Sequence, residues 1–128
     1  LVEAESMTLS NYTTETQSSA SGGMMIRATG NGTASYVSEL DEGTYDIVVA
    51  YYDENDGSSP MSVSLNGVVI DSWVADQELG SASPNATTRV TRTIPGVTIR
   101  PGDTLALHSE PSGGEGGRID CMDLIGEE

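Results

Sequence analysis

Carboxylates sit where a strand should carry apolar side chains. In the opening stretch Glu3-Ala4-Glu5-Ser6-Met7-Thr8-Leu9, both acids share the phase of Met7 and Leu9. A strand there turns Glu3 and Glu5 toward the core. In the closing stretch Arg118-Ile119-Asp120-Cys121-Met122-Asp123-Leu124-Ile125, Asp120 shares the phase of Met122 and Leu124. An inward carboxylate needs a partner, because an isolated buried charge costs more than a fold can spare. If the first and last strands are neighbours, one hard cation with oxygen ligands, such as calcium, satisfies all three acids. Two plainer alternatives stand beside it: the strand ends are frayed and the acids solvated, or Arg118 or Arg27 pairs with one of them.

A second acidic group follows two tyrosines in Tyr51-Tyr52-Asp53-Glu54-Asn55-Asp56-Gly57. It is not an EF-hand loop, since the glycine comes one residue early and no glutamate closes the loop at the required distance. A single-loop cation site using Asp53, Asn55 and Asp56 stays open, as does a solvated polar turn.

The elements that must position these groups are strands. In Thr44-Tyr45-Asp46-Ile47-Val48-Val49-Ala50-Tyr51-Tyr52, the residues Tyr45, Ile47, Val49 and Tyr51 form one face, the expected core face. Met61, Val63 and Leu65, and again Leu105 and Leu107, alternate in the same way. Asn66-Gly67, Pro95-Gly96 and Pro101-Gly102 are turn signals, and Asn66-Gly67 predicts a tight hairpin. About ten short strands and no helical period predict an all-β fold, an antiparallel β-sandwich or jelly roll.

At 128 residues the chain is expected to be a single domain, residues 1–128, large enough to bury a core without disulfides. The net charge of -15 comes from 20 acids against 5 arginines, with no lysine. Such a surface excludes nucleic acid as a partner and attracts cations. No apolar run approaches the ~20 residues of a membrane-spanning helix, and the membrane is not an expected partner. No signal-peptide pattern precedes Leu1, so the chain is expected to be a mature piece or a module excised from a longer protein. The sequence holds one His and one Cys, and no Ser-His-Asp grouping or nucleotide loop. That composition argues against catalysis. Paired carboxylates able to hydrolyse glycosides are the residual enzymatic reading.

A further pattern runs through most of the chain. Ala4, Glu5 and Leu9, then Ala20 to Gly23, Gly43 to Tyr45, the Val63 to Gly67 hairpin, and finally Ile119, Asp120 and Leu124 resemble, in order and spacing, carbohydrate-binding modules of families six and thirty-five. The resemblance implies a galactose-binding-domain-like β-sandwich without catalytic activity, appended to a secreted polysaccharide-degrading enzyme; the chain is expected to be a monomer. It also implies a structural calcium on Glu3, Glu5 and Asp120. Tyr36 matches the first of two clamping aromatics, whereas the second position falls near Pro84-Asn85-Ala86, which has none. The Asp53 to Gly57 loop, Asp71 to Ser81 and Gly114 to Asp120 resemble a subgroup found with marine enzymes. The ligand this implies is an algal polymer, an agar-type galactan (agarose) or alginate.

A sugar presents directed hydroxyls and one apolar face, which calls for carboxylates, amides, arginine and an aromatic ring. The set that meets this is Tyr36, Tyr52, Asp53, Glu54, Asn55, Asp56, Trp73, Asp76, Gln77, Glu115 and Arg118. Trp73 has two readings, a sugar platform or a packing residue under a loop. Arg118 either grips a ligand or neutralises Glu115 and the acidic loop. His108 falls on an outward phase as a surface residue or one bordering a site. The other class of function is a calcium-stabilised structural or adhesive β-domain without sugar binding.

Overall fold

The computed structural model describes residues 2–17, 20–52, 59–75, 89–111 and 117–126. Within them run strands β1 (Val2–Glu3), β2 (Thr8–Thr16), β3 (Met24–Val37), β4 (Gly43–Tyr52), β5 (Ser59–Leu65), β6 (Val68–Ala75), β7 (Arg89–Ile99), β8 (Thr104–Ser109) and β9 (Ile119–Gly126). Two 3-10 turns, Ala4–Ser6 and Ser21–Gly23, complete the described elements.

The hydrogen-bonded order is β6-β5-β8-β3-β9-β4-β7, with β1 added on β9 and β2 on β3. All of these pairings are antiparallel. Strand β3 joins the two layers of the sandwich: Gly32 to Val37 pair with β8, while Ile26 meets Ile119 of β9. Val63 and Leu107 from one layer and Ile47, Val49 and Met122 from the other close into a single buried cluster. This is the antiparallel β-sandwich, of jelly-roll type, that the alternation predicts.

The Asn66-Gly67 hairpin forms as expected, both residues having positive φ (51° and 84°), which suits a two-residue turn between twisted strands. Pro95-Gly96 differs. It lies inside β7 as a bulge, where the register on β4 jumps between Tyr45 and Ile47, and the Gly96 amide donates to Asp46 Oδ1 at 3.1 Å. The two predicted strands on either side are therefore one. Residues Ala4–Ser6 also depart from the expected strand, turning tightly so that Ala4 is fully buried.

Candidate functional site

One end of the sandwich is closed by short turns. Ser38 donates to Asp103 O, Gly102 to Ser38 O and Asn66 to Thr104 O, each at 2.8 Å. The other end carries the flanks of three segments outside the described residues, 53–58, 76–88 and 112–116. There Ser59 pairs with Ala75 and Tyr52 with Arg89. The Tyr52 amide donates to Arg118 O at 3.0 Å, and the Glu110 amide to Pro60 O at 3.3 Å. The candidates Asp53, Glu54, Asn55, Asp56, Asp76, Gln77 and Glu115 lie outside the described residues; their flanks share this end.

Hydroxyl groups pin its base. Ser59 Oγ donates to Glu110 O at 2.5 Å and Ser109 Oγ to Gly117 O at 2.8 Å. A serine hydroxyl has one proton, so the 2.6 Å contact between Tyr12 and Ser109 uses the tyrosine as donor. Burial raises the Tyr12 phenol to about 12. Gly117 has φ +57°, and a Cβ there would lie 3.0 Å from Ser109 Oγ, so this junction requires glycine.

Beside this base opens a cavity of about 650 Å³, whose lining includes the apolar Met61, Trp73 and Val74 and the polar Thr33, Ser62 and His108. That volume and that mixture suit a small polar ligand with an apolar face. His108 bridges three strands: Nε2 lies 3.0 Å from Ser64 Oγ on β5, and Nδ1 lies 3.3 Å from Thr33 Oγ1 on β3. The sequence offered it as a surface residue or a border of a site; it is half-buried and borders the cavity.

Trp73 faces Met61 across the β5–β6 pair and packs into the core. Its ring lies 5.7 Å from Tyr51, tilted at 52°, and the Arg92 guanidinium sits 5.1 Å from its centroid. Its Nε1 is buried with no hydrogen-bond partner. Trp73 is thus a packing residue that also contributes one wall of the cavity.

Three expected contacts are placed differently. Tyr52 is 0% exposed and packs with Ala20 and Met25, because the Ser21–Gly23 turn and the start of β3 cover the outer face of β4. Its ring therefore offers no face to a sugar. Tyr36 pairs with Leu105, whereas Gly32 at the cavity pairs with Ser109, which puts Tyr36 roughly 13 Å further along the strand, toward the turn-closed end. It packs against the core there. Arg118 is largely buried and donates from Nε to Glu15 Oε1 at 2.8 Å, a partner on β2 that spacing along the sequence does not suggest.

The chain ends do meet: Glu3 pairs with Cys121, which brings Glu3, Glu5 and Asp120 into one neighbourhood. The register on β4 passes from Ala50–Cys121 to Tyr51–Ile119, leaving Asp120 on a bulge. That bulge aims the fully buried Asp120 at two donors. Arg89 reaches Oδ2 with Nη2 at 2.8 Å and Nε at 2.9 Å, and the Ser21 amide lies 2.9 and 3.0 Å from its two oxygens. Glu3 Oε1 accepts from Ser21 Oγ at 2.5 Å. Glu3 Oε2 and Glu5 Oε1 are buried without partners. Burial, and then the charges of Glu3 and Asp120, push the Glu5 carboxyl up, with a backbone hydrogen bond opposing them. As the side chains stand, no three acidic, His or Cys groups among the described residues form one ligand set. Arg89 contacts Asp120 Oδ2 alone, and among the described residues Oδ1 accepts only from the shared Ser21 amide. Arg89 and Ser21 are the residues that sequence reasoning missed here.

No family model matches the chain. It is 36% identical over 138 residues to alpha-glucuronidase A of Aspergillus tubingensis, an alignment covering 97% of this chain and 16% of that enzyme. Alpha-glucuronidase of Hypocrea jecorina is 32% identical over 132 residues, with the same two shares of 97% and 16%. The chain therefore spans 16% of the length of these curated relatives. Among solved structures, a family 35 carbohydrate-binding module from Clostridium thermocellum superposes with a TM-score of 0.74 at 16% identity, covering 98% of this chain and 96% of that one. A family 35 module from Paenibacillus barcinonensis gives 0.69 at 21% identity, covering 98% and 97%. The C-terminal family 6 module of a marine laminarinase from Zobellia galactanivorans gives 0.68 at 20% identity, covering 97% and 96%. The chain shares the fold of these carbohydrate-binding modules.

Proposed function

We propose that the chain is a non-catalytic carbohydrate-binding module of a secreted plant-wall-degrading enzyme, and that it recognises the xylan backbone. The observation that carries this reading is the cavity beside Ser59, Ser109 and Gly117, whose lining combines an indole and aliphatic groups with hydroxyls and an imidazole. A sugar ring needs one apolar wall to lie on and fixed donors and acceptors beside it. Thr33, Ser62 and His108 supply the second, and Trp73, Met61 and Val74 the first.

The relatives support the choice of polymer. Alpha-glucuronidases are named for linkages to glucuronic acid, a side group of plant xylans. The algal reading, agarose or alginate, draws no such support from them. Charge narrows the ligand further: at a net charge of -15, like-charge repulsion disfavours alginate and free glucuronate, so the neutral xylose backbone is the part recognised. The gain to the parent enzyme is effective concentration, since a tethered module keeps the catalytic domain near its polymer.

A structural calcium belongs to the same reading. The orphaned, buried Glu3 Oε2 and Glu5 Oε1 suit a hard cation, which would supply the counter-charge that the described residues around them lack. The competing reading, a calcium-stabilised structural domain, shares this site but leaves the cavity without a role. Affinity electrophoresis of the chain in gels containing glucuronoxylan, agarose, alginate or carrageenan separates the two. Retardation by glucuronoxylan, lost on His108→Ala with the unfolding temperature held within a few degrees, is the expected outcome. Migration unchanged by every polymer rejects the module reading, and retardation by agarose alone restores the algal one.

A further inference from the structure

We propose, resting on the xylan reading above, that Glu110 sets the specificity of the cavity: its carboxylate turns away xylose units that bear an acidic side group. The module then settles on bare stretches of the backbone. Glu110 directly follows β8, and its backbone is held from both sides, the amide donating to Pro60 O at 3.3 Å and the carbonyl accepting from Ser59 Oγ at 2.5 Å. The residue itself is exposed and lines the cavity together with its neighbours Ser109 and Pro60. A pinned backbone beneath an exposed acid keeps that charge at the border of the site.

The described residues that line the cavity include one carboxylate, that of Glu110, and no arginine. Each of the five arginines is matched to a carboxylate elsewhere: Arg27 and Arg118 to Glu15, Arg89 to Asp120, Arg92 to Asp71 and Arg100 to Glu42. Arg92, which covers the Trp73 ring at 5.1 Å from its centroid, donates twice to Asp71. A glucuronate set beside Glu110 therefore meets a like charge across water. At low salt such a contact weakens binding by about threefold to tenfold, and less as salt screens it. A neutral xylose unit meets no such cost. By passing over decorated units, the module also leaves them open to a catalytic domain that acts on them.

Calorimetric titration at about pH 8, where an imidazole carries no charge, tests this with linear xylohexaose and with the same backbone bearing a glucuronate side group. The parent chain should bind the neutral oligosaccharide about threefold to tenfold more tightly at low salt, and the preference should shrink in about 0.5 M sodium chloride. Glu110→Gln should lower that preference by at least about twofold, while Glu110→Asp, which keeps the charge, should retain it. Equal affinity of the parent for both ligands overturns the proposal. A preference undiminished in Glu110→Gln overturns it as well, and assigns the discrimination to the bulk of the side group. If neither oligosaccharide binds, the cavity reading itself falls and the proposal with it.

Discussion

Gly22 joins backbone geometry to charge at the chain-end site. Its φ of +66° lies in the left-handed region, and that conformation lets the Ser21 amide and hydroxyl face Asp120 and Glu3 together. A Cβ at Gly22 would touch the two glutamates only at ordinary contact distances, so the cost of a side chain there is conformational and not steric. Gly22→Ala should therefore lose about 1 kcal/mol of stability, read from urea unfolding, while keeping the calcium-induced rise in unfolding temperature. Loss of that rise along with stability would mean that the alanine displaces the carboxylates. Among the described residues, Tyr52 teaches a related lesson at the same scale. Alternation along β4 puts it on the face opposite Tyr51, but a neighbouring turn buries that face as well, so phase alone does not establish exposure.

The edge strands β6 and β7 show what holds the candidate wall in place. Arg92 on β7 donates to Asp71 on β6 through Nε at 2.9 Å and Nη2 at 3.1 Å, and the same guanidinium covers the Trp73 ring. One arginine thereby ties the two layers together beside the cavity. The hydrogen bonds from Arg92 hold the Asp71 carboxyl below its ordinary 3.8. A depressed folded-state pKa means stability present above the unfolded value and lost as pH falls through the folded one. Asp71→Asn should thus cost about 1 kcal/mol at neutral pH, with the gap to the parent closing below pH 3.8 in urea titrations. A gap that persists at low pH would assign the cost to packing. At this scale much was legible in the sequence: the buried phase of Ile47, Val49, Leu105 and Leu107 and the Asn66-Gly67 hairpin. The bulges at Gly96 and Asp120 were not, because a bulge is a property of two strands in register and a single strand carries no sign of its partner. Arg89 and Glu15 were missed for the same reason, since each meets its partner across the sheet and far along the chain.

Taken whole, the two ends of the sandwich differ among the described residues. Short hydrogen-bonded turns seal one end, and the flanks of three longer segments gather at the other, next to a cavity of about 650 Å³. That asymmetry suits the proposed binding role, because the cavity lies at the end that the short turns leave unsealed. It also separates the two sites: the cavity lies on the β5-β8-β3 side, while Glu3, Glu5, Asp120 and Arg89 gather where β9, β4 and β7 meet. In the proposed function a neutral sugar chain occupies that cavity. The most direct test is amide chemical-shift mapping by NMR as a xylo-oligosaccharide is titrated into the labelled chain. Saturable shifts should concentrate at Thr33, Ser62, Trp73, His108 and Glu110 and leave Tyr36 and Asn66 unmoved. Shifts confined to the Tyr36 end, or none at saturating sugar, would contradict it.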